Sequence, residues 1–199
     1  MVLYIIRHGE KKAECCFNPE IRHYDPPLSS TGEEQAKSLV GYFKDKSVAG
    51  IYVSQYLRAQ QTAEYLSLDK GLSPIIEARL NEIDNGVTET MTDEDIIKNY
   101  PEFWSDYWNH TKDYRFPGGE TGEDVKVRQD SLLNDLVTEK EDCILICHEG
   151  YIRLLMCNLL GMPVFHRYKF KYDFCGIMEI EYREKEGDWR IKRFNQITY

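Results

Sequence analysis

The strongest constraint in this 199-residue chain is a pair of unbroken apolar runs, Val2-Leu3-Tyr4-Ile5-Ile6 and Cys143-Ile144-Leu145-Ile146-Cys147. A strand with one face in water alternates apolar and polar residues, so a short run without alternation fits a strand covered on both faces. Further short apolar runs lie at 51–54, 74–77, 176–182 and 189–194. Between the runs are stretches with helical period. In 31–44, Ala36, Leu39, Val40 and Phe43 share a face, and Ser29, Ser30 and Thr31 offer N-caps. Residues 57–66 carry Ala59, Ala63 and Leu66, and 123–139 places Val125, Leu132, Leu133, Leu136 and Val137 mostly on one side. Residues 150–160 are apolar enough for a helix buried against a sheet. The alternation predicts an α/β fold, a three-layer sandwich with a mostly parallel central sheet flanked by helices. The runs at 176–182 and 189–194 alternate better (Ile177, Glu179 and Glu181 against Met178, Ile180 and Tyr182), which predicts edge strands.

With 42% hydrophobic and 30% charged residues the chain can bury a core. It has no repeat or long linker and reads as one domain over 1–199, with a possible lid segment at 84–117. A net charge of −9 suits no nucleic-acid partner, because tracking a phosphate backbone needs a cationic surface. No apolar run approaches the length of a membrane span, and no basic leader precedes Val2, so no membrane partner is expected. The six cysteines include no Cys-x-x-Cys pair and fit a reduced interior, with Cys143 and Cys147 as small core residues of a strand. A zinc-protease helix would need a histidine at position 152, which is isoleucine. The expectation is a cytoplasmic protein without a metal site, with monomer and homodimer both open.

In open α/β sheets ligands bind beyond the carboxyl ends of the strands. The first run is followed by Arg7-His8-Gly9-Glu10, the fourth by His148-Glu149-Gly150, the second by Ser54 and then Arg58, and the third by Leu80-Asn81-Glu82. Each residue alone has a plain reading as a turn, cap or helix-face group. Together they bring two histidines, two arginines and a glutamate to one sheet edge. That set suits a phosphoryl group. Two guanidinium forks can clamp a dianion, a neutral imidazole is a nucleophile near pH 7, and a carboxyl at Glu82 can protonate the leaving oxygen and then activate water. For the first task its proton affinity would have to rise toward neutrality. Gly9, beside His8, allows close backbone approach to the ring or ligand.

Arg7-His8-Gly9-Glu10, Leu28-Ser29-x-x-Gly32-x-x-Gln35-Ala36, Ser54-x-x-Leu57-Arg58-Ala59-x-Gln61-Thr62-Ala63, Leu80-x-Glu82, Gly118-Gly119-Glu120-Thr121 and His148-x-Gly150-x-Ile152-Arg153 resemble the histidine phosphatases, the phosphoglycerate-mutase-like superfamily. The resemblance runs in order over most of the chain and implies roles. His8 is then the histidine that is phosphorylated, Arg7, Arg58 and His148 complete the phosphate pocket, and Glu82 is the proton donor. Gly9 and the main chain of Glu149 are further phosphate contacts, the element 118–120 is structural, and no metal or organic cofactor is implied. The chain departs from the pattern at Lys11, at Glu149 and at Glu14, a rim carboxylate that would repel strongly anionic substrates unless Lys11 offsets it. Such departures bear on substrate identity.

Residues 100–116 hold seven aromatic residues, with Phe103/Tyr107 and Trp104/Trp108 spaced i, i+4. They predict a short helix with two aromatic stripes, either a lid that selects an apolar leaving group or a helix packed on the sheet edge. The segment is shorter than in the phosphoglycerate mutases, which leans the chain toward the phosphatase branch. Residues 165–172 could set Arg167, Lys169 and Lys171 along one strand face, and a solvated surface is the preferred reading. Residues 24–27, with His23, read as a loop over the site. The functional expectation is a phosphomonoester hydrolase for a small phosphorylated metabolite, metal-independent, with Glu82 as general acid/base. A phosphoglycerate mutase and a catalytically silent phospholigand-binding module are the rivals.

Overall fold

The structure, a computed structural model, describes residues 1–13 and 16–199. In chain order the elements are β1 (Val2–Arg7), β2 (Phe17–Asn18), β3 (His23–Tyr24), α1 (Ser30–Phe43), β4 (Gly50–Val53), α2 (Leu57–Lys70), β5 (Ile75–Ile76), α3 (Asp93–Asn99), α4 (Pro101–Asn109), α5 (Gly122–Glu139), β6 (Cys143–Cys147), α6 (Glu149–Leu159), β7 (Ile177–Arg183) and β8 (Asp188–Gln196). Single 3-10 turns lie at Ala78–Leu80, Gly86–Thr90 and Val164–Lys169. Six strands form one sheet in the order β5-β4-β6-β1-β7-β8. The first four run parallel, β7 alone runs against them, and β8, antiparallel to β7, shares their direction. The two unbroken apolar runs are thus the neighbouring central strands β1 and β6, each buried on both faces. Leu3 and Ile5 of β1, with Cys143 and Leu145 of β6, pack beneath α5 and α6 through Leu132, Leu136, Ile152 and Leu155. Tyr4, Ile6, Ile144 and Ile146 point the other way, onto Ala36, Leu39 and Phe43 of α1 and Ala59, Ala63 and Leu66 of α2. Strand period two thus distributes one apolar run between two helical layers.

Two sequence readings need correction. β7 is interior, hydrogen-bonded to β1 on one side and β8 on the other, so of these two strands only β8 is an edge. Its alternation misled because Glu179 is buried. That carboxylate accepts from Tyr42, Lys46 and Arg193, which satisfies it inside the fold. The basic run 165–172 is no strand. Most of it forms the turn Val164–Lys169, in which Arg167 is buried against Asp113 (3.5 Å) while Lys169 and Lys171 reach solvent.

Candidate active site

The sheet aligns the strand ends before any side chain is considered. Arg7 pairs with Cys147 and Val53 with Ile146, so the residues after β1, β6 and β4 leave the sheet together. The His8 N–H extends the ladder to the Cys147 carbonyl (3.0 Å), and the Ser54 N–H donates to Ile146 (3.1 Å). His8 and His148 therefore face each other with ring centroids 5.1 Å apart, and both are buried, at 4% and 0% exposure.

Their hydrogen bonds define the tautomers. Arg58 Nε can only donate, so its 3.2 Å contact makes His8 Nε2 an acceptor; His8 Nδ1–H then donates to the Gly9 carbonyl (2.7 Å). Likewise Arg58 Nη2 donates to His148 Nδ1 (3.3 Å), and His148 Nε2–H donates to Ser54 Oγ (2.7 Å). Burial, and next the Arg58 charge, hold both imidazoles well below the ordinary histidine value. Both rings are therefore neutral at neutral pH, and the lone pair of His8 Nε2 points at a guanidinium.

Arg58 stands in the first turn of α2, where a cation opposes the positive end of the helix dipole. Asp25 offsets this. Its carboxylate accepts the Leu57 N–H at the helix start (2.9 and 3.1 Å) and lies 3.4 Å from Arg58 Nη1. The guanidinium also lies over the Tyr56 ring, 4.3 Å from its centroid. Arg7 lies 4.0 Å over the Phe174 ring and pairs with Glu149 (2.9 Å), while its Nε is buried with no hydrogen-bond partner among the described residues. The two guanidinium groups and a helix N-terminus make the place a strong attractor for an anion.

Glu82 is held at the N-terminus of α6. Its Oε2 accepts from Gly150 N (3.0 Å), and its Oε1 accepts from Tyr151 N (2.9 Å) and Ile83 N (3.0 Å). These three N–H donors fix the orientation of the carboxyl group at the helix start. Gly150 is there because of this contact: a Cβ would stand 2.5 Å from Glu82 Oε1. The loop carrying Glu82 is fastened by Arg128, which donates to the Arg79 and Glu82 carbonyls (2.6 and 3.2 Å) and to Glu120 Oε1 (3.0 Å). Glu120 also accepts the Asp84 N–H (2.9 Å), which gives the Gly118-Gly119-Glu120 element its structural task.

A cavity of about 560 Å³ opens above these groups, with Arg7, His8, Lys11, Arg58, Glu82 and Glu149 in its wall. His148 lies behind that wall, in contact with Arg58. Gly9 points its N–H at Thr62 Oγ1 (3.0 Å), so here it orients the His8 imidazole instead of facing an anion; a Cβ on it would also meet Gly32 O at 2.6 Å. The carboxylate of Glu149 bridges Arg7 and Arg153, a side-chain contact that the sequence reading did not foresee. Glu14 lies outside the described residues. The 24–27 loop contains the partner that sequence reading missed, Asp25; a single acid before Pro26-Pro27 carries no periodic or motif signal. The loop is anchored through His23, between Asp84 and Glu89 (3.5 Å each), and through the Tyr24 N–H to Glu89 (3.1 Å). Burial pulls the Glu89 carboxyl up, but the hydrogen bonds from His23, Asn85 and Tyr24 outweigh it and hold it at about 2. Among the described residues no three His, Cys, Asp or Glu side chains gather as a metal site, and no helix is long and apolar enough to cross a membrane.

A mostly parallel sheet with paired imidazoles and guanidinium groups at its strand ends is the architecture of a class of phosphoryl-handling α/β proteins. The chain belongs within it to the histidine phosphatase superfamily (branch 1), whose family model matches residues 3–197. It is 31% identical, over 99% of its own length and 94% of the relative's, to a probable phosphoglycerate mutase GpmB of Enterobacter sp. (strain 638). It is 36% identical over 79% of its length, though over only 32% of that larger protein, to human 6-phosphofructo-2-kinase/fructose-2,6-bisphosphatase 4. Among solved structures it resembles the alpha-ribazole phosphatase of Shigella flexneri, with a TM-score of 0.80 and 26% identity over 98% of this chain and 96% of that one. Phosphatases and mutases both stand among these relatives.

Proposed function

We propose that the chain hydrolyses the phosphomonoester of a small metabolite through a phosphohistidine at His8. The observation that carries the reading is the His8 imidazole, its Nδ1 proton committed to Gly9 and its Nε2 lone pair aimed at Arg58 beside the cavity. Phosphoryl oxygens are better acceptors for a guanidinium than an imidazole nitrogen is, so an entering phosphoryl group takes over the Arg58 contacts and frees Nε2 to attack. Arg7 completes the clamp from the cavity wall, and His148 supports Arg58 from behind it. The P–N bond forms as the bond from phosphorus to the leaving oxygen breaks, and Glu82 delivers a proton to that oxygen. The phosphoryl dianion beside Glu82 favours the protonated form by like-charge repulsion. In the second half, Glu82 as carboxylate takes a proton from water, the water oxygen attacks phosphorus, and His8 departs with its lone pair. No step calls on a metal. Turnover of an aryl phosphate in the presence of a chelator, together with an acid-labile, base-stable phosphoenzyme, is the test; a strict metal requirement would sink it.

The name of the mutase relative supports a second reading, transfer of the phosphoryl group within phosphoglycerate. Incubation with 3-phosphoglycerate and a bisphosphoglycerate primer separates the two, since only a mutase yields the 2-isomer. A silent binding module would need neither the nucleophile nor the acid.

Two variants test Glu82. Glu82→Gln is expected to lower kcat/KM, which reports formation of the phosphoenzyme, by about 10²-fold for poor leaving groups and far less for p-nitrophenolate; equal lowering across leaving groups removes the acid role. Gly150→Ala leaves that carboxyl chemically intact but displaces it, and is expected to lower kcat by about 10²-fold with little change in KM. Wild-type kcat in that variant would show that Glu82 placement is not limiting.

A further inference from the structure

α4 is only nine residues long and carries Phe103, Trp104, Tyr107 and Trp108 on adjoining faces, yet none of its residues is fully buried. The two readings of this segment divide between its stripes. Phe103 and Tyr107 pack against the core, with Phe116 5.3 Å from Phe103 and Tyr114 5.7 Å from Tyr107. Trp104 is stacked on Tyr107 (6.3 Å) and meets Trp108 edge-on (5.6 Å), and Trp108 is 59% exposed. All four rings belong to the wall of the same cavity that holds His8 and Glu82. Aromatic faces left partly wet on a concave wall, locked from behind by other rings, form a platform for a flat ligand.

The charge of the wall narrows the choice. A substrate with a second anionic group needs a second cationic partner, and Arg153, one helical turn beyond Glu149, is the nearest cation along α6. Its guanidinium is already joined to the Glu149 carboxylate, which also holds Arg7 at 2.9 Å. Asp93 adds another carboxylate to the wall. Of the other cations in the wall, Arg167 is paired with Asp113 and Lys11 follows β1, so it is along α6 that a second anion meets Glu149 where it would need a free cation.

We infer that the substrate is the phosphate monoester of a flat, uncharged alcohol, stacked on Trp104 and Trp108, and that Glu149 discriminates against substrates with a second anionic group. The inference rests on the phosphatase reading above. The test compares esters whose leaving groups are all alkoxides, so that leaving-group chemistry is matched: 2-naphthylmethyl phosphate, n-propyl phosphate and 3-phosphoglycerate. The wild type is expected to favour the naphthylmethyl ester over the propyl ester by about tenfold or more in kcat/KM, as one stacked ring system would provide. It is expected to disfavour 3-phosphoglycerate against the propyl ester. Trp108→Ala, at an exposed position, should bring the naphthylmethyl-to-propyl ratio to within about threefold, with competitive inhibition by inorganic phosphate as the sign of a folded pocket. Glu149→Gln should raise the 3-phosphoglycerate-to-propyl ratio by about tenfold. Equal wild-type values for the naphthylmethyl and propyl esters, or a ratio indifferent to Trp108, overturn the stacking platform while leaving the phosphatase reading intact. A preference for 3-phosphoglycerate overturns the role of Glu149. Hydrolysis of none of the three, with no phosphate or vanadate binding, fells the phosphatase reading and this inference together.

Discussion

Replacing His8 by alanine is expected to lower kcat by about 10⁴-fold or more and to abolish the phosphoenzyme. The size follows from what the side chain does in the proposed reaction. It forms the bond to phosphorus, and no neighbour can stand in: His148, though 5.1 Å away ring to ring, has Nε2 committed to Ser54 and Nδ1 to Arg58. Rapid-quench measurement with a labelled ester checks both halves of the expectation. Turnover by His8→Ala at more than a few per cent of the wild-type rate would move the nucleophile elsewhere, whatever the fate of the other residues.

Arg58→Met is the second large effect, about 10³-fold in kcat/KM, with Arg58→Lys recovering little of it. One guanidinium here donates to His8, to His148, to the Tyr24 carbonyl and to Asp25, a fan of directions that a lysine ammonium on a flexible stem cannot span. The substitution also has a signed effect on pH dependence. In the wild type, burial and then the Arg58 charge keep both imidazoles deprotonated below the ordinary value of 6.5, so the acid limb of kcat/KM lies below pH 6.5. Removing a cation favours the imidazolium forms, and the acid limb of Arg58→Met moves to higher pH. A limb that stays in place or moves lower would show that Arg58 does not set the protonation of the pair.

The continuous apolar runs located β1 and β6 because burial on both faces leaves no other pattern for a strand, and helical period found α1, α2, α5 and α6 within a few residues. The interior place of β7 escaped because its alternation came from a buried glutamate, and Tyr42, Lys46 and Arg193, which make that burial tolerable, arrive from distant parts of the chain. Arg167 escaped for the same reason, its partner Asp113 lying far off in sequence. At the site, the strand-end rule and the motifs led to Arg7, His8, Arg58, Glu82 and His148, and the structure brings these together. Asp25 was not legible: it supports Arg58 through a loop whose sequence carries no period. The bridging carboxylate of Glu149 was equally hidden, since a residue type at a helix start does not reveal which guanidinium it will choose.

The pairing of Arg7 with Cys147 has a consequence for how such a site can change. Because the two imidazole-bearing residues each follow directly on one of these partners, their separation is inherited from the pitch between adjacent parallel strands, about 4.8 Å. Loops can lengthen, shorten or exchange their aromatic content without touching that distance, since the backbone ladder beneath fixes it. The reacting centre is a property of the sheet, and the choice of what reaches it belongs to segments the sheet does not hold. A lineage of such chains can therefore change diet while keeping its chemistry.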